Sequence, residues 1–164
     1  MSPIARTFLA LVALVVAFYL PSSFAAQKAP DFSLKGDKSV VKLSSYRGQV
    51  VYVDFWASWC KPCRKSFPFL NEMHKRYQNK GLKVIGINLD TAPADAKKFL
   101  NKFPAQFTIA YDPEGKTPQQ YKLSVMPTSY LVDRHGNLIN IHKGFKEGQA
   151  ADIENIIVKA LSRK

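Results

Sequence analysis

The stretch that decides the fold is Val50-Val51-Tyr52-Val53-Asp54-Phe55-Trp56-Ala57-Ser58-Trp59-Cys60-Lys61-Pro62-Cys63. Residues 50–55 are apolar apart from one acid and rich in β-branched and aromatic side chains, which predicts a buried strand. Pro62 suits the first turn of a helix, where its missing N–H group is not needed. The pattern therefore predicts a strand, a sharp turn and a helix, with two cysteines at the turn.

The two cysteines are three residues apart, so a helical turn places them on one face, close enough to form a disulfide. Cys60 precedes the helix, where free N–H groups and the positive end of the helix dipole favour a thiolate. Lys61, Arg64 and Lys65 add positive charge nearby. Cys63 lies one turn deeper and is expected to be shielded and to react second. The arrangement predicts thiol–disulfide exchange, with both cysteines catalytic.

Two other interpretations start from the same cysteine pair. A zinc site needs about four ligands, but the chain has no third cysteine, and its histidines are scattered at His74, His135 and His142. A purely structural disulfide across so short a loop would stabilise the fold less than a long-range bridge does. We therefore expect no metal, and no cofactor besides the redox-active disulfide between Cys60 and Cys63.

Apolar runs and helical patterns in the rest of the chain predict its other elements. Residues 32–43 are typical of a β-hairpin. Further strands are predicted at 82–89, 107–110, 128–132 and 138–142, and helices at 64–79, 93–103, 117–121 and 147–161. Asp90 or Thr91 is expected to cap the helix that begins near Pro93. Strands and helices that alternate before a final hairpin predict a mixed sheet with helices on both faces.

The segment from Asp54 to Cys63 resembles the active-site segment of the thioredoxin superfamily in its acid, both tryptophans and both cysteines. Other motifs resemble the extracytoplasmic reductase branch of TlpA, ResA and DsbE. These motifs are Ala29-Pro30-Asp31-Phe32-Ser33-Leu34, Leu43-Ser44-Ser45-Tyr46-Arg47-Gly48, Tyr111-Asp112-Pro113-Glu114-Gly115 and Met126-Pro127-Thr128-Ser129-Tyr130-Leu131-Val132-Asp133. The resemblance implies an α/β thioredoxin fold, with a central mixed β-sheet flanked by helices and an N-terminal β-hairpin extension.

The resemblance also implies a substrate-binding surface around the cysteines. Pro127 would be a cis-proline that faces the two sulfurs, and it would leave the backbone of Met126 free to pair with an extended substrate. An ordinary trans turn is the alternative that the residues alone leave open. Trp59, Lys61 and Pro62 complete the expected substrate-binding set.

Asp54 is a lone acid in an apolar strand, six residues before the first cysteine. Burial raises the pKa of a carboxyl group, and such a group near Cys63 would accept its proton, so Asp54 is the candidate general base. A strand-end acid paired with a lysine is the alternative. Many TlpA-like relatives have Asn at the position of Asp54 and Glu at the position of Ser66. This chain therefore carries its acid at the position that thioredoxins use. Trp56 and Trp59 flank the site and would shield Cys63 and shape the docking face, but the residues do not distinguish this from plain core or partly exposed aromatics.

Residues 1–25 are expected to be a signal peptide, and residues 26–164 the thioredoxin-like domain. Arg6 gives a positively charged N-terminal region, residues 8–20 are apolar, and small residues favour cleavage after Ala25. The apolar run is shorter than the roughly 20 residues that span a bilayer, and an uncleaved membrane anchor is the alternative. Export to a bacterial periplasm would place the domain where disulfides can form.

The length of 164 residues predicts one domain, and the net charge of +12 is spread along the chain without a basic block. We interpret this charge as a solvated basic surface and expect no nucleic-acid partner. The features together predict an exported thiol:disulfide oxidoreductase that mainly reduces disulfides in client proteins. The resemblance implies a membrane electron donor of the DsbD/CcdA type, and cytochrome c maturation or copper-site assembly as the setting.

Three other functions stay open at this point. A periplasmic disulfide oxidase or isomerase would use the same chemistry, although strong oxidants carry Cys-Pro-His-Cys where this chain has Pro62 before the second cysteine. A peroxiredoxin-like peroxidase would show Pro-x-x-x-Thr-x-x-Cys, and this chain lacks that proline. A copper-binding chaperone would use Cys60, Cys63 and His142, although Sco-like chaperones space their cysteines one residue farther apart.

Overall fold

The structure is a computed structural model that describes residues 27–163, so the predicted signal peptide at residues 1–25 lies outside the described part. The strands are β1 (Ser33–Gly36), β2 (Val40–Lys42), β3 (Val50–Trp56), β4 (Leu82–Asn88), β5 (Thr108–Tyr111), β6 (Thr128–Val132) and β7 (Leu138–Lys143). The helices are α1 (Cys63–Tyr77), α2 (Pro93–Lys102), α3 (Lys116–Gln120) and α4 (Ala150–Ser162). None of these helices combines the length and apolar character needed to cross a membrane.

The strands form one seven-stranded sheet in the order β2-β1-β5-β4-β3-β6-β7. β3 and β4 are parallel, as are β4 and β5, and the other neighbouring pairs are antiparallel. The mixed sheet and the N-terminal hairpin of β1 and β2 confirm the predicted architecture. Every residue of the central strand β3 is buried, because packed elements cover both faces of the sheet.

Alternate residues of β3 point to opposite faces of the sheet. The even-numbered residues face a core under α1, α2 and α4, where the rings of Trp56, Phe67 and Phe99 lie 4.8–5.0 Å apart. The odd-numbered residues face a second core that is closed by the N-terminal segment and by Tyr121, which follows α3. Asp54 is even-numbered, so its side chain points toward the face that α1 covers.

The start of α2 differs from the prediction. Its N-cap residue is Ala92, which offers no side-chain cap, and Pro93 opens the first turn. Asp90 is not a cap, because its carboxylate turns inward and accepts hydrogen bonds from Ser58 and Asn88. The other boundaries agree with the prediction to within about two residues, except that the last helix begins with a separate 3₁₀ turn at Glu147–Gln149.

Candidate redox site

The cysteine pair lies where the central strand ends and α1 begins. Cys60 and Cys63 form a disulfide, with their Cα atoms 5.4 Å apart. The Cys60 N–H group donates to the carbonyl of Ala57 at 3.1 Å, which turns the chain sharply after β3. Pro62 is the N-cap of α1 and already has helical backbone angles, φ −65° and ψ −25°, of which its ring fixes φ. The sequence therefore builds a strand–turn–helix with the disulfide at the turn.

Both cysteines are largely buried, Cys60 with 4% of its surface exposed and Cys63 with none, but Cys60 borders a surface groove. A groove of about 550 Å³ runs beside the disulfide, and Cys60 is part of its wall, whereas Cys63 is not. Its wall consists of Trp59, Cys60, Lys61, Pro62, Leu89, Leu123, Ser124, Val125 and Met126. Cys63 is fully buried in the core under α1, which confirms the predicted shielding. Cys60 is thus the sulfur that an incoming group in the groove meets.

The two tryptophans have different environments. Trp56 is fully buried and belongs to the same core cluster as Cys63, as expected for a shielding residue. Trp59 is 67% exposed, which agrees with the alternative of an exposed aromatic and not with a role in shielding Cys63. It lies in the turn beyond the end of β3, outside the sheet, and its ring forms part of the groove wall. Trp59 therefore keeps only its expected position on the docking face.

The loop before β6 supplies the opposite wall of the groove. Its Met126–Pro127 peptide bond is cis, as the resemblance predicts. Met126 lines the groove, whereas Pro127 is buried and its carbonyl accepts a hydrogen bond from the Gly144 N–H at 2.7 Å. The Thr128 hydroxyl donates to the carbonyl of Val125 at 2.6 Å, which fixes the loop from its other side. Of the predicted substrate-binding residues, Pro127 is the one that does not line the groove.

Asp54 is buried in the core face of β3, with 1% of its surface exposed. The Ser129 hydroxyl on β6 donates to its Oδ1 at 2.6 Å, and its Oδ2 has no hydrogen-bond partner. Burial raises the pKa of Asp54 to about 7, although the Ser129 hydrogen bond works in the opposite direction. No lysine or arginine within residues 27–163 forms an ion pair with it. Around neutral pH this carboxyl group is therefore able both to accept and to release a proton.

Positive charge surrounds the turn as predicted. Lys61, Arg64 and Lys65 are all exposed. Lys65 lies 3.5 Å from a carboxylate oxygen of Glu147, while Lys61 and Arg64 form no ion pair in the described part of the chain. Cys60 also lies just before the N-terminus of α1, and both influences favour a thiolate over a thiol.

A hydrogen-bond cluster that the sequence did not reveal holds the turn before Cys60. The Asp90 carboxylate accepts from the Ser58 N–H at 2.9 Å, from the Ser58 hydroxyl at 2.9 Å and from the Asn88 amide at 2.8 Å. Asp90 is 6% exposed and follows β4, the parallel neighbour of β3. An acid after a strand is equally typical of a helix cap, so no local signal distinguishes the two roles.

We expect Asp90→Ala to lower the free energy of unfolding by about 3 kcal/mol, because three buried or part-buried donors lose their acceptor. Urea unfolding monitored by circular dichroism measures this change. Asp95→Ala is the matched control, since Asp95 is an exposed acid that accepts no side-chain hydrogen bond of this kind. Equal effects of the two substitutions would show that the Asp90 cluster does not stabilise the turn.

No group of three or more His, Cys, Asp or Glu side chains within residues 27–163 is arranged to hold a metal ion. The reactive group that the structure shows at this site is the Cys60–Cys63 disulfide. A disulfide at the end of a central strand that carries a buried acid, with a groove beside it, is the working group of thioredoxin-fold thiol–disulfide oxidoreductases. The chain is an enzyme of this class. The Redoxin family model matches residues 24–157, and the chain belongs to the redoxin family.

Relatives of known structure or assignment agree with this membership. Thiol-disulfide oxidoreductase ResA of Bacillus thuringiensis subsp. konkukian is 34% identical over 121 residues, which are 72% of this chain and 69% of the relative. A Chlorobium tepidum structure provisionally assigned as thiol:disulfide interchange protein DsbE is 50% identical, with a TM-score of 0.82 over 84% of this chain and 97% of that chain. The exposed lipoprotein thioredoxin Etrx1 of Streptococcus pneumoniae is 30% identical, with a TM-score of 0.70 over 79% and 99% of the chains. The predicted resemblance to the TlpA, ResA and DsbE branch is confirmed.

Proposed function

We propose that this oxidoreductase is exported to the periplasm and works mainly as a reductase of disulfides in client proteins. The observation that carries the proposal is the unequal placement of the two sulfurs. Cys60 lines an open groove, while Cys63 is sealed in the core on the face of the sheet toward which the Asp54 carboxyl group points. A thiolate at the groove suits the attack on a client, and a sealed thiol on the same face of the sheet as a buried base suits the release step.

The reaction transfers two electrons from the dithiol of the enzyme to a client disulfide. The Cys60 thiolate attacks one client sulfur, a mixed disulfide forms, and the other client sulfur leaves as a thiolate. Asp54 then takes the proton of Cys63, and the Cys63 thiolate attacks the sulfur of Cys60. This step closes the Cys60–Cys63 disulfide and releases the second client sulfur as a thiolate.

The groove supplies a place for the client chain. Trp59 and Val125 both line the groove and expose apolar surface, with 67% and 46% of their surface accessible. The backbone of Met126 lies on the same wall as Val125 and is available to an extended segment, the mode of recognition that pairs a peptide with a free backbone edge. Lys61 and Pro62 complete the rim beside Cys60.

The closed disulfide needs a source of electrons before another turnover. A membrane donor of the DsbD/CcdA type is the proposed source, because an oxidising compartment does not keep such a pair reduced by itself. Cysteine pairs of apocytochrome c and copper-site proteins are the proposed clients. Export is supported by the predicted signal peptide and by similarity to Etrx1, which is described as an exposed lipoprotein. A retained N-terminal segment would place the enzyme at the membrane.

The direction of exchange is tested by the reduction potential of the Cys60–Cys63 pair. Residues 26–164 are equilibrated with mixtures of reduced and oxidised glutathione, and the fraction of disulfide is measured by alkylation of free thiols. We expect a value of about −270 mV or lower, the range of reducing thioredoxins. A value near about −120 mV, typical of strong oxidants, would overturn the reductive direction and assign the enzyme to disulfide formation.

A further inference from the structure

The buried base of the proposed mechanism needs a path for its proton. Asp54 has 1% of its surface exposed, so water does not reach its carboxyl group freely. A base that accepts the Cys63 proton in each turnover must lose that proton before it serves again. The inference below rests on the proposed function and concerns how this exchange with solvent occurs.

The register of the sheet places three polar residues in one row. Asp54 on β3 lies opposite Ser129 on β6, and Ser129 lies opposite His142 on β7. Residues directly opposite each other on antiparallel strands point to the same face, with Cβ atoms about 4.5–5.5 Å apart. β7 is the edge strand, so the row leads from the centre of the sheet to its rim. The Ser129 hydroxyl already donates to Asp54 Oδ1 at 2.6 Å.

Two buried atoms in this row have no hydrogen-bond partner. They are Oδ2 of Asp54 and Nε2 of His142. The side chain of His142 is half-buried, so its ring spans the boundary between the core and solvent. A buried polar atom without a protein partner is uncommon and usually marks a bound water or a functional role. Bound water beside Ser129 would give each of these atoms a partner.

We propose that His142 is the proton relay of Asp54, acting through Ser129 and bound water. After Asp54 has taken the Cys63 proton, the carboxyl group passes a proton along this row to Nε2 of neutral His142. The imidazolium then releases its Nδ1 proton to solvent, which restores the Asp54 carboxylate. When the donor reduces the disulfide again, His142 first returns its Nε2 proton along the row to the Asp54 carboxylate and regains one from solvent at Nδ1. Cys63 leaves as a thiolate and takes this proton from Asp54, so the cycle balances.

The other groups that face this row do not replace His142. On β3, burial and the nearby Asp54 carboxylate raise the pKa of Tyr52, which keeps its hydroxyl protonated at neutral pH. β4 presents Gly86 opposite Asp54, α1 presents Cys63, and the buried residues of α4 are apolar. Burial raises the pKa of Asp54 and lowers that of His142, and no charged neighbour adds to either shift. Within residues 27–163, His142 is the half-buried titratable side chain at the rim end of this row.

The test measures the resolution step in a single turnover. Reduced protein is mixed with insulin in weakly buffered solution, and the decay of the mixed disulfide is followed by acid quench between pH 5.5 and 8.5. We expect His142→Ala to slow the decay about tenfold. This is less than the effect of removing a general base itself, because His142 acts through Asp54. Added imidazole is expected to restore most of the rate. His142→Gln keeps the volume but does not titrate, and it should show the same slowing.

The matched control is His135→Ala, because His135 is exposed in the turn between β6 and β7. It should retain the rate of the unmodified protein and show no response to imidazole. If His142→Ala and His142→Gln resolve within twofold of the unmodified protein while Asp54→Asn is slow, the relay is refuted and the role of Asp54 remains. If Asp54→Asn is also as fast as the unmodified protein, the proposed mechanism fails first, and the relay fails with it.

Discussion

Cys60→Ser abolishes insulin reduction, and its rate falls to the uncatalysed background. The loss should be on the order of a thousandfold or more, given the rate enhancements typical of enzymes. The reason is that Cys60 is the sulfur in the groove wall, whereas the other sulfur, Cys63, is fully buried. A serine hydroxyl at position 60 does not displace a sulfur from a disulfide at neutral pH, since the thiolate is the nucleophile. Insulin precipitation in the presence of dithiothreitol measures the rate.

Cys63→Ser is the matched control for the Cys60 substitution, because these are the two cysteines of the chain. This variant keeps the attacking sulfur and lacks the resolving one. It should form a mixed disulfide with insulin that is visible on a non-reducing gel and is cleaved by added thiol. The opposite pattern, with the Cys60 variant trapped and the Cys63 variant inert, would reverse the assigned order of the two sulfurs.

Asp54→Asn stabilises the folded protein at alkaline pH and slows the resolution step. The pKa of Asp54 is about 7 in the folded state and 3.8 ordinarily, so folding favours the protonated form. Stability from this group is fully present below about pH 4 and is lost as pH rises toward and through 7. The loss amounts to about 4 kcal/mol at pH 8. Asparagine carries no charge, so the variant avoids this loss.

Urea unfolding of the oxidised protein at pH 4 and pH 8 measures the difference. The gain in unfolding free energy for Asp54→Asn should be small at pH 4 and largest at pH 8. Asp95→Asn, which replaces an exposed acid, should show no such pH dependence. In the same variant, resolution of the mixed disulfide should slow about a hundredfold, because the general base is lost. A stability gain that does not grow with pH would mean that the carboxyl group is charged at little cost in the folded state.

The local sequence was enough to predict the strand–turn–helix that carries the disulfide. An apolar β-branched run followed by two cysteines and Pro62 has few other conformations that bury the run and satisfy the helix start. The mixed sheet and the N-terminal hairpin were also predicted, because alternating strands and helices leave few ways to pair. Asp54 was identifiable as a buried acid because it lies alone in an apolar strand.

The partners of these residues were decided by the tertiary structure. Ser129 is 75 residues from Asp54 and touches it because β6 pairs with β3 in one particular register. A shift of one residue would turn every side chain of β6 to the other face, and the local pattern of a fully buried strand does not distinguish the two registers. His142 joins the row for the same reason.

The residues around the turn also divide into what the local sequence predicts and what the tertiary structure decides. The sequence alone indicates that Asp90 lies close to a helix start and that Trp59 lies beside the cysteines. Whether Asp90 caps α2 or binds Ser58 depends on how β4 lies beside β3. That Trp59 shares a groove with the distant loop at Val125 follows from the fold and not from the local sequence. Short-range sequence determined the reactive group itself. Long-range packing determined which side chains hold it, open it to a client and supply its protons.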